Sequence, residues 1–126
     1  YRKHLTAARF GSLDESFNVT EFWLDGSLRI SAEGQVDFMK RLIRRRLSYS
    51  ATSYEELRDV MLREETGSYQ LRAKTGWTGS IGWFVGYVET SDDTWIFALN
   101  ADVEDINLMV LLPDITKEIL QAKGII

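Results

Sequence analysis

The sequence predicts an α+β domain with helices first, then an antiparallel sheet, then one closing helix. Two observations carry this prediction. Apolar residues recur at helical spacing within residues 31–66 and again after residue 113. Between residues 69 and 102 they alternate with a period of two, and short polar turns separate the runs. A chain of 126 residues, 44% of them hydrophobic, is long enough for one domain or a portion of one, and residues 1–126 show no linker.

The N-terminal third is predicted to hold two helices joined by a long loop. Residues 2–8 have the pattern of the last turns of a helix. Residues 10–26 lack periodicity, and we expect this loop to fold onto a site and to bury its apolar residues. Ser31 is predicted as the N-cap of a helix that runs to about Arg46. The basic run 44–46 is interpreted as a solvated helix face rather than a phosphate site.

Two further helices are predicted around the sheet. Ser53 and Glu56 form a capping box that should open one helix, and Gly67 should close it. Its apolar face would consist of Tyr54, Leu57, Val60 and Met61. The last helix is predicted to begin at Asp114 and to stop at Gly124. Its inward residues would be Ile115, Ile119 and Leu120.

Three antiparallel strands are predicted: one ending at Lys74-Thr75-Gly76, one over residues 81–88 and one over 94–102. Gly82 and Gly86 lie on one strand face, which indicates a close backbone approach or a tightly packed neighbour. All three strands look central, yet a three-stranded sheet has two edges. We therefore expect partner strands from a segment outside this sequence.

Composition argues against several functions. A net charge of −4 disfavours a nucleic-acid partner. Without cysteine there is no disulfide framework and no Cys-ligated metal, and the single histidine, His4, is interpreted as an exposed helix residue. We expect no metal site. The longest apolar runs fall far short of the ~20 residues of a membrane span, so no membrane contact is expected from this segment.

The tripeptide Lys74-Thr75-Gly76 combines a cation, a hydroxyl and a glycine, which suits the binding of an anion. The run GWFVGYVE follows at 82–89, FWLDGSLRISA stands at 22–32, FALN at 97–100 and ITKEIL at 115–120. Together these segments resemble class D serine β-lactamases and the related β-lactam sensor domains of signalling receptors. Lys-Thr-Gly is one of the motifs of penicillin-recognising enzymes. The similarity runs from about Lys3 to Ile126.

The resemblance implies the C-terminal portion of a serine β-lactamase or penicillin-binding (transpeptidase-like) fold, with a β-lactam as ligand. On the family pattern Lys74 lies beside the nucleophile and the substrate carboxylate, and Thr75 offers its hydroxyl to that carboxylate. Gly76 lets the substrate approach the strand, and the Trp77 backbone N–H helps to hold the oxyanion. Trp23 would donate its indole N–H to a CO2-derived lysine carbamate. No other cofactor is expected.

Three departures from the family pattern stand out. No Ser-x-x-Lys occurs in the chain, so the chain lacks the nucleophile and the base. Alone it is therefore predicted to be inactive. Its partner would be the missing N-terminal part or a complementing chain. The family's Tyr-Gly-Asn appears as Phe10-Gly11-Ser12. Its carboxylate-binding arginine aligns with Leu112, and only Lys117 or Lys123 could partly compensate.

Three functions remain open from the sequence. The first is a class D-like β-lactamase that works through an acyl-serine intermediate. The second is a β-lactam sensor or penicillin-binding domain that stays acylated. The third is a catalytically inactive family member that acts through protein contacts. By resemblance, any of these would act in the periplasm or outside the cell.

Overall fold

A computed structural model describes residues 2–126 and confirms the α+β prediction. In chain order the elements are α1 Arg2–Ala8, β1 Ser12–Leu13, β2 Leu28–Arg29, α2 Ala32–Ile43, α3 Ala51–Val60, β3 Leu62–Glu65, β4 Tyr69–Trp77, β5 Ile81–Thr90, β6 Thr94–Asp102, a 3₁₀ helix Ile106–Val110 and α4 Leu111–Ala122. The chain forms two compact units, one ending at Leu47 and the other beginning at Ser48.

In the first unit, α2 begins as predicted. The backbone of Ser31 is extended, and its hydroxyl accepts a hydrogen bond from the Gly34 N–H at 3.0 Å, which satisfies a donor that the first turn leaves free. The helix ends at Ile43 rather than near Arg46, because Arg45 adopts a left-handed φ of 52°. The arginines at 44–46 are exposed, in agreement with the prediction, and so is His4.

The loop predicted over residues 10–26 is present, but β1 and β2 pair across its base. The Asp14 N–H donates to the Ser27 carbonyl at 2.9 Å and closes it. Two-residue strands are too short to give a periodic pattern, so sequence reasoning missed them. Phe22 is buried, as expected of apolar loop residues, whereas Trp23 and Leu24 are about half exposed, and for those two the expectation was wrong.

The second unit opens with α3, whose N-cap is Ser50 and not Ser53. The Ser50 hydroxyl accepts from the Ser53 N–H at 3.0 Å, so the predicted capping box is wrong by three residues. Both serines could cap a helix, and the more N-terminal one has the extended backbone that a cap requires. The helix also stops at Val60 instead of Gly67. Tyr54 and Met61 are buried, but Val60 is 72% exposed.

Among the described residues, the sheet of the second unit has four antiparallel strands in the order β3-β4-β5-β6, one more than predicted. β3 was missed because Leu62–Glu65 is mostly charged and mostly exposed, as suits an edge strand. β4 pairs with β5 from Tyr69–Thr90 to Trp77–Gly82 without a register break. Their pairing extends β4 through Lys74, Thr75 and Gly76, which sequence reasoning had placed at its end.

The core of this unit lies between one face of the sheet and α4. Its buried members are Leu71, Ala73, Phe84, Val88, Leu112 and Leu120. α4 starts at Leu111, and its inward residues are Leu112, Thr116 and Leu120. The prediction that Ile115 and Ile119 face inward was wrong, since they are 42% and 44% exposed. Thr116 tolerates burial because its hydroxyl donates to the Leu112 carbonyl at 2.8 Å.

Both glycines of β5 have the close neighbours predicted for them. A Cβ on Gly86 would lie 2.1 Å from the Arg72 carbonyl oxygen and 2.7 Å from the Ala73 Cα on the neighbouring strand. A Cβ on Gly82 would meet side chains instead, with the Met109 Sδ at 2.6 Å and the Val103 Cγ2 at 2.8 Å.

Candidate functional site: the open edge of the Lys-Thr-Gly strand

β4 is paired on both sides only along its first half. On one side, β5 accompanies it to Trp77. On the other side, the last residue of β4 that pairs with β3 is Arg72. One further hydrogen bond joins the Ala73 N–H to the Met61 carbonyl at 2.8 Å. Past Ala73, no strand of residues 2–126 pairs with this side of β4. Residues 74–77 therefore form an open strand edge, called the open edge below.

Backbone donors and a cation line the open edge. Successive residues of a strand direct their N–H and C=O groups to alternate sides. The Ala73 N–H points to the β3 side, so the N–H groups of Thr75 and Trp77 point to the open edge. The Lys74 ammonium donates to the Thr75 carbonyl at 2.9 Å, which places a positive charge at the same edge. Two N–H donors beside an ammonium group suit a bound anion.

The side chains of Lys74 and Thr75 belong to opposite faces of the sheet, because successive strand residues alternate. Lys74 is exposed and Thr75 is half-buried. Between Thr75 and Trp77, Gly76 has no steric reason to be glycine. A Cβ there would meet only the Trp83 Cβ, at an ordinary contact distance of 3.7 Å. The space kept clear by Gly76 is therefore not needed by the described chain.

Trp77 ends β4, and its indole is engaged within the protein. The Nε1–H donates to the carbonyl of Val103 at 2.8 Å. Val103 immediately follows β6 and is buried. The indole N–H is consequently not available to a ligand, and the polar group that Trp77 presents at the open edge is its backbone N–H.

The other predicted site residues lie in the first unit. Trp23 is 48% exposed and packs edge-to-face on Phe22 at 4.9 Å between ring centroids. Within residues 2–47 its indole N–H has no acceptor, so it can donate to a further group.

Phe10 and Ser12 flank Gly11 at the start of β1. Phe10 packs edge-to-face on Phe38 at 4.8 Å, and Ser12 is exposed opposite Arg29 in the β1–β2 pair. Gly11 has a φ of 60°, and a Cβ on it would come within 2.4 Å of the Arg29 carbonyl oxygen. The glycine of this tripeptide is therefore required by the local backbone, whatever the role of its neighbours.

The residue aligned with the family's arginine and the two lysines that could replace it lie in different surroundings. Leu112 is 3% exposed and lies in the core, so its side chain cannot meet a ligand. The Lys117 Nζ lies 2.7 Å from the Glu64 Oε2, and the Tyr69 hydroxyl donates to the other oxygen of that carboxylate. The bond from Lys117 lowers the pKa of Glu64, and Glu64 in turn raises the pKa of Lys117. Lys123 caps the exposed end of α4.

Sequence reasoning missed a charged cluster just before the open edge. The guanidinium of Arg72 is buried and lies 3.1 Å from Glu89, and the Arg58 guanidinium lies 2.8 Å from the other oxygen of Glu89. Arg72 also donates to the Arg58 carbonyl and to the Gln70 side chain. Burial alone would raise the pKa of Glu89, but the two guanidinium groups outweigh it and lower that pKa. The sequence feature that could have indicated this cluster is Arg72, an arginine in an otherwise buried strand.

Comparison with known proteins identifies the family. The model of the penicillin binding protein transpeptidase domain matches residues 2–120, and the chain belongs to this family. Within it, the chain has the fold of the C-terminal part of a class D β-lactamase, which confirms the resemblance noted in the sequence. No helix among residues 2–126 has the length and apolar character needed to cross a bilayer.

Three relatives illustrate the match. The chain is 42% identical to β-lactamase OXA-48 of Klebsiella pneumoniae over 98% of its own length and 48% of that protein. It is 31% identical to β-lactamase OXA-10 of Pseudomonas aeruginosa, covering 99% of the chain and 50% of the relative. The crystal structure of the class D β-lactamase YbXI from Nostoc superposes with a TM-score of 0.89 at 34% identity, over 98% of this chain and 54% of that one. The chain thus spans about half the length of the curated relatives it matches.

Proposed function

We propose that this chain is the substrate-binding part of a class D β-lactamase that hydrolyses β-lactams through an acyl-serine intermediate. The open edge supports this proposal most directly, because it offers two backbone N–H donors and the Lys74 ammonium along one line. A β-lactam carries a carboxylate and a reactive carbonyl, and an edge of this kind can bind both. The relatives named above are β-lactamases, which favours the same reaction.

Each residue of the open edge has a proposed role. The Lys74 ammonium exchanges the Thr75 carbonyl for the substrate carboxylate, and the Thr75 hydroxyl donates to the same group. Gly76 leaves room for the substrate to lie along the strand. The Trp77 backbone N–H stabilises the negative charge that develops on the lactam oxygen during acylation, where a fixed donor is most effective.

The nucleophile and the base must come from another segment. We propose that a preceding N-terminal part, or a complementing chain, supplies the Ser-x-x-Lys motif. A carbamate on that lysine would provide the base that releases the acyl group. The indole of Trp23 is half-exposed and carries an N–H donor, so it is suited to hold such an anion. Phe10 and Ser12 would support the Trp23 loop with fewer polar contacts than the family's Tyr-Gly-Asn.

We expect the enzyme to bind its substrate carboxylate weakly. No arginine follows Arg72 in the chain, and Lys117 is committed to Glu64. Loss of a guanidinium partner for a carboxylate costs roughly 1.5–3 kcal/mol. Binding of the carboxylate therefore falls mainly on Lys74 and Thr75.

The test is the intact mass of the full-length gene product before and after brief exposure to a penicillin, with nitrocefin turnover measured in the presence and absence of bicarbonate. We expect an adduct of one drug mass that clears within seconds, and faster turnover with bicarbonate. The 126-residue chain is the matched control and should form no adduct. An adduct that lasts for hours would instead indicate a sensor or penicillin-binding domain. No adduct on the full-length product would indicate an inactive family member.

We also propose that the protein acts in the periplasm or outside the cell, where β-lactams meet their targets. The support is the resemblance to class D β-lactamases. Fractionation of the native host by osmotic shock should release the protein with periplasmic markers or show it in the medium. Retention with cytoplasmic markers would contradict this location.

A further inference from the structure

The backbone of Val103 links the end of β4 to the turn that precedes β5. Its N–H donates to the Ser80 carbonyl at 2.7 Å, in that turn. Its carbonyl accepts the Trp77 indole N–H at 2.8 Å, on the arm that ends β4. Val103 is 4% exposed, whereas Trp77 is half-buried and Ser80 is exposed. We call this pair of bonds the Val103 latch.

The latch acts where the strand would otherwise be loosely held. Trp77 is the last residue of β4, and within residues 2–126 it has a strand partner on the β5 side only. It follows Gly76, the residue type with the widest backbone freedom, and precedes a turn in which Gly79 has a φ of 95°. The peptide between Gly76 and Trp77 carries the N–H that points to the open edge. Its orientation depends on what anchors the Trp77 residue.

The side chain of Trp77 supplies that anchor through a group that other aromatic residues lack. Phenylalanine has no donor, whereas the indole N–H is a donor fixed in the ring plane. In the register Trp77 faces Gly82, and the space above Gly82 is filled by the Val103 Cγ2 and the Met109 Sδ. Packing around Gly82 therefore holds Val103 in place while its carbonyl holds the indole.

We propose that the Trp77 side chain and the Val103 carbonyl form a positioning device for the Trp77 backbone N–H in the acylation step. The inference rests on the proposed function. A donor that stabilises a developing oxyanion must be held within a few tenths of an ångström of its productive position. The indole itself does not touch the substrate. Its effect should therefore be seen in the acylation rate and not in the non-covalent binding of the drug.

The experiment uses the full-length protein with Trp77→Phe and, as an isostere that keeps the full ring volume, with Trp77 replaced by 3-benzothienylalanine, which has no N–H. Single-turnover acylation by a penicillin is followed by mass spectrometry. We expect the limiting acylation rate to fall about tenfold in both variants, since small misplacements of a catalytic group cost one to two powers of ten. The drug concentration for half-maximal rate should stay within about twofold. Hydrogen exchange of a peptide covering residues 76–80 should become about tenfold faster.

Trp95→Phe is the matched control, because Trp95 is 46% exposed and lies on β6, away from the open edge. It should leave acylation and exchange unchanged. If the isostere acylates at the wild-type rate, the positioning role is overturned while the proposed function stands. If rate and half-maximal concentration change together with a lower melting temperature, the bond is only structural and the proposal is likewise overturned. If the wild-type protein is never acylated, both proposals fall.

Discussion

The glycines of the β4–β5 hairpin differ in what their missing side chains make possible. Gly86 lets two backbones approach, because a Cβ there would lie 2.1 Å from the Arg72 carbonyl oxygen. Gly82 admits the side chains of Val103 and Met109. Gly76 has open space instead, since its nearest neighbour would be the Trp83 Cβ at 3.7 Å. Of the three, only Gly76 has room for a Cβ, which makes it the informative position for ligand binding.

Gly76→Ala in the full-length protein should leave the melting temperature almost unchanged and slow acylation by a penicillin about tenfold, because the new methyl group stands where the substrate would lie. Gly67→Ala is the control, since a Cβ on Gly67 would have no neighbour within 4 Å and Gly67 is not at the open edge. Gly86→Ala should instead destabilise the fold by about 3 kcal/mol through overpacking. Normal acylation by the Gly76→Ala variant would argue against substrate binding along the open edge.

The second residue-scale prediction concerns the ion pairs of Glu89. Its pKa is lowered in the folded protein, so the stability it contributes is complete above the unfolded value of about 4.3 and is lost as the pH falls through the folded pKa. Glu89→Gln should lower the free energy of unfolding by roughly 2–3 kcal/mol at pH 7, because the buried Arg72 loses its charge partner. The difference in the free energy of unfolding between this variant and the wild type should become smaller below about pH 4.

Denaturant melts at several pH values would measure this gap. Glu104→Gln is the control, since Glu104 is exposed and makes no ion pair among the described residues. Unfolding curves of Glu89→Gln and wild type that stay equally far apart from pH 7 to pH 3 would contradict the assignment.

At the scale of secondary-structure elements, α3 has two candidate N-caps, Ser50 and Ser53. Ser50 caps the helix, and the Ser53 N–H receives that cap. Ser50→Ala should therefore cost about 1 kcal/mol of stability, the usual value of an N-cap. Ser53→Ala should cost less than about half of that, because its hydroxyl is not the cap acceptor. Equal losses in thermal melts of the two variants would restore the capping box at Ser53.

Sequence reasoning succeeded where the local pattern and the tertiary contacts agree. The strand over residues 94–102 and the N-cap at Ser31 depend on alternation and on a single hydroxyl, and both could be identified from the sequence. β3 could not be found, because an exposed edge strand of charged residues has no hydrophobic period. The inward face of α4 was misassigned because Thr116 is buried through a bond to its own helix, while Ile115 and Ile119 are exposed.

The candidate site was predictable to a similar extent. Lys74, Thr75, Gly76 and Trp77 could be chosen from the tripeptide and its flanks. The open edge could not be predicted, because it depends on where β3 ends. The Val103 latch could not be predicted either, because Val103 lies 26 positions after Trp77 in the chain. The catalytic roles assigned to these residues remain predictions.

At the scale of the whole molecule, the chain exposes surfaces that a folded domain usually covers. β6 pairs with β5 alone, so its other edge is unpaired along Thr94–Asp102 within the described residues. The helical segment that follows exposes Ile106, Leu108, Val110, Leu111, Ile115 and Ile119. Unpaired edges and contiguous apolar surface favour association with another chain.

We therefore expect the 126-residue chain on its own to be marginally stable and to self-associate. Size-exclusion chromatography with light scattering should show oligomers or aggregates, and thermal melting should lack a sharp transition. The full-length product is the control and should melt cooperatively. A cooperative melt of a monomeric 126-residue chain would contradict this expectation.

The unbroken register of β4 with β5 has a consequence for how this segment can vary in length. From Tyr69 to Trp77 every residue has one partner, and core residues alternate with the residues of the opposite face. Inserting or deleting one residue between Ala73 and Gly76 would turn Lys74 or its successors to the wrong side of the sheet. Inside the strand, length changes should therefore be tolerated only in steps of two. The spacing of residues along β4, as much as their identity, keeps the ammonium of Lys74 at the open edge.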